Sequence, residues 1–432
     1  MALRPFKAPG ARLALLSKRA GSGVHAGGSD SEIILDLSRL LSRSFHPTPT
    51  GIDRVEYVYA RELLERMPDR LSFAAVHAAG GYYGRLDPSA VRQFLAFTTA
   101  KWRNVEAPDQ RRNRAAIIRH LFALRPRPVP KAKGRQRVYL QVSPHHLDDH
   151  QQVGAILRAE GAKFVTLVHD VIPLSHPEFA RPQGAEEHLR RVRSIDDYAT
   201  GIIGNSQATI DALVPHLKRG LGGRSIRVAH FGADATDIFD SRHYTPPDRP
   251  YFVYIATIEP RKNHLLLLNI WRRLIEQHGD RVPQLVLVGR RGWENENVVD
   301  MLDRAEALRG HVVEAGELSD RQMAEVIAGA RATLMPSFAE GFGMPVIEAL
   351  SAGVPVICSD IDAHREVGAD VPDYLDPLDG LGWLRAVQAY AVDGSPERAA
   401  QVARLAGWRP PTWHDYFDVV TQLLGEVTES VA

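Results

Sequence analysis

The feature that most constrains the fold of this chain is a regular alternation of short apolar runs with longer helical segments. Most of the short runs are rich in β-branched residues and apolar on both faces, as strands covered by helices on both sides are. They are EIILDLS, RVYLQVS, KFVTLVHD, TGIIGNS, SIRVAHFG, YFVYIAT, QLVLVGR, HVVEAG, RATLMPS and VPVICSD. Strands that alternate with helices in this way predict an α/β fold of βαβ units on doubly wound parallel sheets.

The length of the chain predicts more than one domain, because 432 residues exceed what a single hydrophobic core usually serves. The series of strands is broken by the proline-rich stretch HYTPPDRP at 243–250. We therefore expect a Rossmann-like domain at 31–242, a second at 250–407, and a final helix at 408–428 that packs back toward the first.

Residues 1–30 are basic and rich in glycine and alanine. Their apolar core, LALL at 13–16, is shorter than the roughly 7 to 15 residues of a secretory signal. We interpret this segment as a disordered lead-in.

No run approaches the roughly 20 apolar residues of a membrane helix. The chain has one cysteine, Cys358, so it cannot form an intramolecular disulfide. We expect a cytoplasmic protein.

A basic insertion at 101–137 carries twelve Lys or Arg against two acidic residues. Such a segment predicts either peripheral contact with an anionic membrane, at the inner face of the membrane, or a solvated basic loop. The net charge of only +1 gives no support for a nucleic-acid partner.

The segment RATLMPSFAEGFGMPVIEALSAGVPVICSD predicts a strand, a tight turn and a helix start in succession. Gly341 and Gly343 let the backbone approach a ligand closely, and the free amides of a helix start favour anionic or hydroxyl-rich groups. Gly353 suits the end of the helix. Glu340 and Glu348 bracket the turn, and paired carboxylates suit sugar hydroxyls. The spacing alone leaves a second interpretation open, in which Glu348 near the helix start simply complements the helix dipole.

A second motif, YFVYIATIEPRKNHLLLLNIW, places Arg261 and Lys262 between a strand and a helix start. Two cations beside the positive end of a helix dipole are unfavourable unless an anion lies among them. The pair indicates a diphosphate site, although ordinary surface charge is the other interpretation.

The string EGFGMPVIEAL followed by SAGVPVI closely resembles the signature of the family-4 (group 1) retaining glycosyltransferases, mannosyltransferase-like members included. The resemblance spans roughly 31–425 and is strongest at 251–360. It implies the GT-B fold, in which two Rossmann-like domains face each other across a donor cleft.

The resemblance implies a role for each matching position. Glu340 contacts hydroxyls of the transferred sugar, Glu348 binds the nucleotide ribose, and Arg261 with Lys262 clamps the donor diphosphate. The amides that hold sugar and phosphate are those of Gly341, Phe342, Gly343 and Met344.

Other positions that match the family lie outside these two motifs. Leu318 lies where the family places the nucleotide base, and Gly51 matches a glycine loop that closes over the donor phosphates, or is an ordinary turn glycine. His169 and Asp170 resemble the His-Asp pair that faces the transferred sugar and acceptor. His169 could also be a buried core histidine.

Together these matches imply a retaining glycosyltransferase that moves a hexose from a nucleotide-diphosphate sugar to a glycan or lipid-linked acceptor in bacterial polysaccharide biosynthesis. The run HDVIPLSHPEF modestly favours GDP-mannose. No cofactor or metal is expected, although Asp360 and Asp362 spell an Asp-x-Asp pattern. A nucleotide-sugar epimerase or phosphorylase, and a non-enzymatic membrane-surface protein, stay open. A redox dinucleotide enzyme fits worse, because no G-x-G-x-x-G follows a first strand.

Overall fold

A computed structural model describes residues 31–46, 48–77, 81–103, 110–132, 134–233 and 247–429. The predicted lead-in at 1–30 lies outside this part of the chain. So do residues 104–109 and 133 of the basic insertion, and 243–246 of the predicted domain boundary.

Thirteen strands are described in the chain, in two groups. They are β1 Glu32–Asp36, β2 Leu71–Val76, β3 Tyr83–Leu86, β4 Arg137–Gln141, β5 Ala162–Val168, β6 Ala199–Gly204, β7 Ser225–Val228, β8 Tyr251–Ile255, β9 Gln284–Val288, β10 Val312–Gly316, β11 Thr333–Met335, β12 Val356–Ser359 and β13 Asp373–Leu375.

The α-helices of the described residues lie between these strands and after the last one. They are α1 Ser38–Ser42, α2 Gly51–Arg66, α3 Pro88–Arg103, α4 Gln110–Ala123, α5 His150–Glu160, α6 Ile172–Ser175, α7 Gly184–Tyr198, α8 Gln207–Leu213, α9 His264–His278, α10 Glu296–Arg304, α11 Asp320–Ala328, α12 Met344–Ser351, α13 Asp362–Gly368, α14 Gly380–Ala391, α15 Pro396–Leu405 and α16 Trp413–Glu429. Of the described helices, none is long and apolar enough to cross a bilayer.

The strands form two sheets, with orders β3-β2-β1-β4-β5-β6-β7 and β10-β9-β8-β11-β12-β13. Every pair is parallel except β2 with β3. The prediction of doubly wound parallel sheets is confirmed, although the edge strand β3 is antiparallel. The predicted runs include neither β3 nor the strands β2 and β13. In both sheets the strand order reverses beside the first strand of the sheet, which is where ligands bind in such folds.

Helix α16 packs against β4, β5, β6 and β7 of the first sheet, although it follows the second sheet in sequence. The hydroxyls of Tyr59 and Tyr416 lie 2.6 Å apart. The Nζ of Lys163 donates to the carbonyl of Val427 at 2.8 Å. The end of the chain thus ties the second half of the molecule to the first.

Several local signals produce the elements that lead to the cleft. Thr50 caps α2 in a capping box with Asp53, and Ser319 caps α11 in one with Gln322. Such boxes satisfy two amides that the helix start would otherwise leave unpaired. Gly353 follows the end of α12 with φ +76°, a conformation that favours glycine.

Candidate functional site

An open cleft of about 400 Å³ lies where the carboxyl ends of the two sheets face each other. The first domain contributes residues of the turn after β5, including Asp170 and His176, and residues of α8. The second contributes Glu340 and Gly341 after β11, and Asp360 and Asp362 after β12. Three of the predicted site residues, Asp170, Glu340 and Gly341, therefore line one cleft.

The glycine loop touches the opposite domain directly. A Cβ added at Gly341 would lie 2.2 Å from the carbonyl oxygen of His169 and 2.9 Å from the Cβ of Asp170. The hydroxyls of Ser206 and Thr209 donate to the Gly341 carbonyl at 2.7 and 3.0 Å. Ser206 also caps α8. A side chain at 341 would separate the two domains.

The same loop leads into α12, whose N-terminus no described side chain caps. Gly343 precedes the helix with φ +108°, which favours glycine, and Met344 is its first residue. Phe342 is buried, and its ring lies 5.2 Å from that of Phe231. The side chain of Phe342 therefore anchors the loop, while the loop backbone stays next to the helix start.

Glu340 lies between the two predicted diphosphate-binding cations. Its Oε2 accepts a hydrogen bond from Arg261 Nη1 at 2.8 Å, and its Oε1 accepts one from Lys262 Nζ at 2.5 Å. The Nε of Arg261 lies 2.6 Å from Glu259. The two sequence motifs form a single ion-paired cluster, and the anion among the cations is Glu340.

Charge decides the ionisation of this cluster. Burial alone would raise the pKa of Glu340, but the charges of Lys262 and Arg261 hold it well below its usual range. Burial raises the pKa of Glu259, and the attraction of Arg261 opposes this shift.

The two cations do not use all their hydrogen-bond donors within the cluster. Lys262 has three N–H donors and uses one on Glu340. Arg261 has five and uses three, on Glu259, Glu340 and the Ala339 carbonyl. Both cations keep donors for a further anion.

His169 and Asp170 follow β5 at the rim of the cleft. The Nε2 of His169 lies 2.8 Å from the Val142 carbonyl, so this nitrogen carries the proton and donates it. Burial lowers the pKa of His169, which keeps the ring neutral. Oδ1 of Asp170 accepts the amide of Ile172 at 3.1 Å, which holds the carboxylate at the cleft surface.

The other predicted site residues do not line this cleft. His169, Arg261, Lys262, Phe342, Gly343 and Met344 adjoin its lining residues in sequence or through hydrogen bonds, whereas Gly51, Leu318 and Glu348 lie apart from it. Gly51 begins α2, and Arg54 of the same turn forms an ion pair across the domains with Asp320, two residues after Leu318. Burial raises the pKa of Glu348, and the charge of Arg54 opposes the shift. These predicted donor residues form a second contact zone, beside the cleft rather than in it.

Two residues that the sequence analysis missed belong to the site. The buried ring of His364 lies against Gly343, where an added Cβ would be 3.2 Å from Cδ2, and its Nδ1 donates to the Ser359 carbonyl at 2.9 Å. Glu366 on α13 accepts the amides of Gln207 and Ala208 at the start of α8, at 2.6 and 3.1 Å. Neither residue has a local sequence signal, because their partners lie in other segments.

Asp360 and Asp362 of the Asp-x-Asp pattern both line the cleft. The carboxylate of Asp360 is held by Arg365, at 2.5 and 2.8 Å from Nε and Nη2.

Comparison with known families gives one match in the second half of the chain. The family model "Glycosyl transferases group 1" matches residues 236–371, which include both halves of the ion-paired cluster. The chain is 40% identical over 129 residues to the O-antigen chain mannosyltransferase B of Escherichia coli, covering 30% of this chain and 33% of that protein. The chain therefore spans about a third of the length of this relative.

Two other proteins resemble nearly the whole chain. The D-inositol 3-phosphate glycosyltransferase of Nocardioides sp. is 25% identical over 93% of this chain and 94% of its own length. The crystal structure of HepE from Anabaena in complex with UDP superposes with a TM-score of 0.57 at 15% identity, covering 91% of this chain and 100% of that one. The fold, with two Rossmann-like domains, is the GT-B fold.

Proposed function

We propose that this protein, whose residues 236–371 belong to the group 1 glycosyltransferases and whose two sheets form the GT-B fold, transfers a hexose from a nucleotide-diphosphate sugar with retained anomeric configuration. The acceptor is a glycan or a lipid-linked glycan of bacterial polysaccharide biosynthesis.

The observation that carries the proposal is the position of Glu340. Its carboxylate lines the cleft next to a glycine that touches the opposite domain, and it is bound by Arg261 and Lys262. An ionised carboxylate in this position accepts hydrogen bonds from sugar hydroxyls. The remaining donors of the two cations bind the diphosphate.

Catalysis then rests on positioning and charge. Arg261 and Lys262 stabilise the negative charge that builds on the leaving nucleoside diphosphate, in a site that is already largely desolvated. Transfer occurs by same-face substitution: the bond from the anomeric carbon to the phosphate oxygen breaks, the bond to the acceptor oxygen forms, and a phosphate oxygen takes the acceptor's proton. No protein carboxylate acts as a covalent nucleophile.

The residues of the first domain orient the sugar and the acceptor. Asp170 faces Glu340 across the cleft and is fixed by the Ile172 amide. His169, neutral and anchored to Val142, offers its other ring nitrogen only as an acceptor. Contact between the domains at Gly341 excludes water and so limits hydrolysis of the donor.

Mannose from GDP-mannose is the donor we favour. The relative from Escherichia coli is named as a mannosyltransferase of the O-antigen chain. The run HDVIPLSHPEF supplies Asp170 and His176 to the cleft and places Phe179 parallel to Phe338 at 5.6 Å. We include a cytoplasmic location in the proposal, in keeping with the free, buried Cys358.

The test is incubation of the purified protein with GDP-mannose, UDP-glucose, UDP-galactose or UDP-N-acetylglucosamine, with and without methyl mannoside as acceptor, followed by NMR of the products. We expect nucleoside diphosphate and a glycoside with the donor's anomeric configuration, formed from one donor class and only with acceptor. A new nucleotide sugar formed without acceptor would instead identify an epimerase.

A further inference from the structure

We propose that one face of helix α4 docks on an anionic lipid surface. This face consists of Arg114, Ile118, Arg119 and Phe122 of the helix, together with Arg125 two residues beyond its end, and we call it the α4 face. It lies on the domain that carries His169, and it has no part in the sugar-transfer site described above.

The two sides of α4 differ sharply in burial. Ile117 and Leu124 on one side are 2% and 0% exposed and belong to the core of the first domain. Ile118 and Phe122 on the other side are 60% and 69% exposed. Because residues four apart lie one above the other on a helix, these two large apolar side chains form a continuous ridge directed at solvent.

Cations surround this ridge. Helix α4 contains no Asp or Glu. Arg114 and Arg119 are exposed on either side of Ile118, and the guanidinium of Arg125 lies 5.1 Å from the centre of the Phe122 ring. Apolar side chains flanked by cations on one helix face are what an in-plane interfacial helix presents to anionic headgroups.

The same features disfavour other occupants. A second copy of the chain would place one α4 face against another in a symmetric dimer, and the arginines would repel each other. A nucleic acid would pair with the arginines but would leave Ile118 and Phe122 in water. A lipid surface can pair with the arginines through its anionic headgroups. It can also bury Ile118 and Phe122 at the boundary of its acyl chains.

The domain that carries the α4 face also carries the loop before α2. Helix α4 packs on α3, and Lys101 near the end of α3 donates to the carbonyl of Ser44 at 2.6 Å, in the loop before α2 and Gly51. A lipid-linked acceptor would therefore be held on the domain that binds the acceptor. This last step rests on the proposed function, whereas the docking itself does not.

The experiment is flotation of the full chain with vesicles of phosphatidylcholine alone or mixed with phosphatidylglycerol, without any nucleotide sugar. We expect binding only to the mixed vesicles, and loss of binding at high salt, which screens exposed charges. Arg114→Gln with Arg119→Gln should weaken binding about 5-fold for each arginine removed. Ile118→Ser with Phe122→Ser should weaken it at least about ten-fold.

Matched controls lie on the other domain. Leu378 and Leu381 are 79% and 67% exposed, and Arg272 and Arg273 are exposed on α9. Leu378→Ser with Leu381→Ser, and Arg272→Gln with Arg273→Gln, should leave vesicle binding unchanged. All variants change exposed side chains, so their thermal unfolding should match the wild type.

Three results would overturn the docking proposal. They are no binding to mixed vesicles, equal binding to both vesicle types, and equal loss in the control variants. Self-association in solution that Phe122→Ser abolishes, without vesicle binding, would assign the face to a second copy of the chain. Sugar transfer to a water-soluble acceptor would persist in each of these cases, so failure of docking is distinguishable from failure of the proposed function.

Discussion

Gly341 of the second domain lies so close to His169 of the first that any side chain would collide with a backbone carbonyl. The distance from an added Cβ to the His169 oxygen is 2.2 Å. A backbone atom cannot move aside as a flexible side chain can. The arrangement of the two domains around the cleft therefore depends on a glycine at 341.

Gly341→Ala should lower kcat/KM for sugar transfer at least about 100-fold, because displacement of one domain misplaces the donor against the acceptor. The matched control is Gly425→Ala in α16, where an added Cβ meets nothing within 4 Å. This control should keep its activity, and its free energy of unfolding should change by less than about 1 kcal/mol. Equal activity in the two variants would show that the domains do not close as described.

Glu340→Gln should cost about 3 kcal/mol of stability at pH 7, because it leaves the buried Lys262 without its counter-charge, while Arg261 keeps its pair with Glu259. The control is Glu314→Gln, which breaks an exposed pair with Arg291 at 2.7 Å and should cost less than about 1 kcal/mol. Urea unfolding at pH 7 measures both. If both variants lost a similar free energy of unfolding, the result would contradict a stabilising role of the ion-paired cluster.

The pH dependence of the stabilisation by Glu340 follows from the depressed pKa of this carboxyl group. The unfolded chain binds a proton at this position below the ordinary glutamate pKa of about 4.3, whereas the folded chain does not. The stabilisation is therefore complete above that pH and declines as pH falls further. The difference between wild type and Glu340→Gln in urea unfolding should shrink on acidification below it, and growth of the difference would contradict this sign.

The pKa of Glu56 is shifted in the opposite direction from that of Glu340, so its contribution to stability has the opposite pH dependence. It is fully buried beside Asp36, and burial raises its pKa to about 8. Between about 4.3 and that value the folded chain holds a proton that the unfolded chain has lost, so stability falls by up to about 1.4 kcal/mol per pH unit. Glu56→Gln keeps an acceptor for the Leu40 amide and removes the titration. Its stability relative to wild type should rise from pH 5 to pH 8, and a constant difference would refute the prediction.

Glu366→Gln should weaken closure of the cleft, because a carboxylate that accepts two amides of the other domain becomes a neutral amide. His230 Nε2 also lies 2.7 Å from this carboxylate. Charge-assisted hydrogen bonds are worth about 1.5 to 3 kcal/mol, so kcat/KM should fall roughly ten-fold or more, with a larger radius of gyration in X-ray scattering. The control, Glu325→Gln, removes an exposed pair 3.6 Å from Arg321 and should change neither quantity.

The sequence predicts most of the fold, because its strong signals are local. Short apolar runs, most of them apolar on both faces, mark ten of the strands, and Thr50, Ser319 and Gly353 mark helix ends through their own side chains or conformations. The edge strand β3 is only four residues long, YGRL, and has no such run. Its antiparallel pairing comes from contacts with β2 that no local pattern encodes.

The sequence indicates which residues form the candidate site, but not how these residues are arranged in space. The motifs around Arg261 and Glu340 are each recognisable, yet they are 79 residues apart, and only the fold shows that the carboxylate lies between the cations. Glu366 reaches amides 159 residues away, at the start of α8. Such contacts depend on how two domains meet, and a strand or helix pattern carries no information about that.

The central claim is that Arg261 and Lys262 bind the diphosphate of a nucleotide sugar, and thermal unfolding with GDP, UDP, ADP and their sugars tests it most directly. The variants are Arg261→Ala and, as control, Arg291→Ala, whose exposed pairs with Asp303 and Glu314 involve no residue of the ion-paired cluster. At 100 times Kd a ligand stabilises the fold by about 2.7 kcal/mol. We predict that one nucleotide class raises Tm in wild type and Arg291→Ala but not in Arg261→Ala. No shift with any nucleotide, or an equal shift in all three proteins, would contradict the claim.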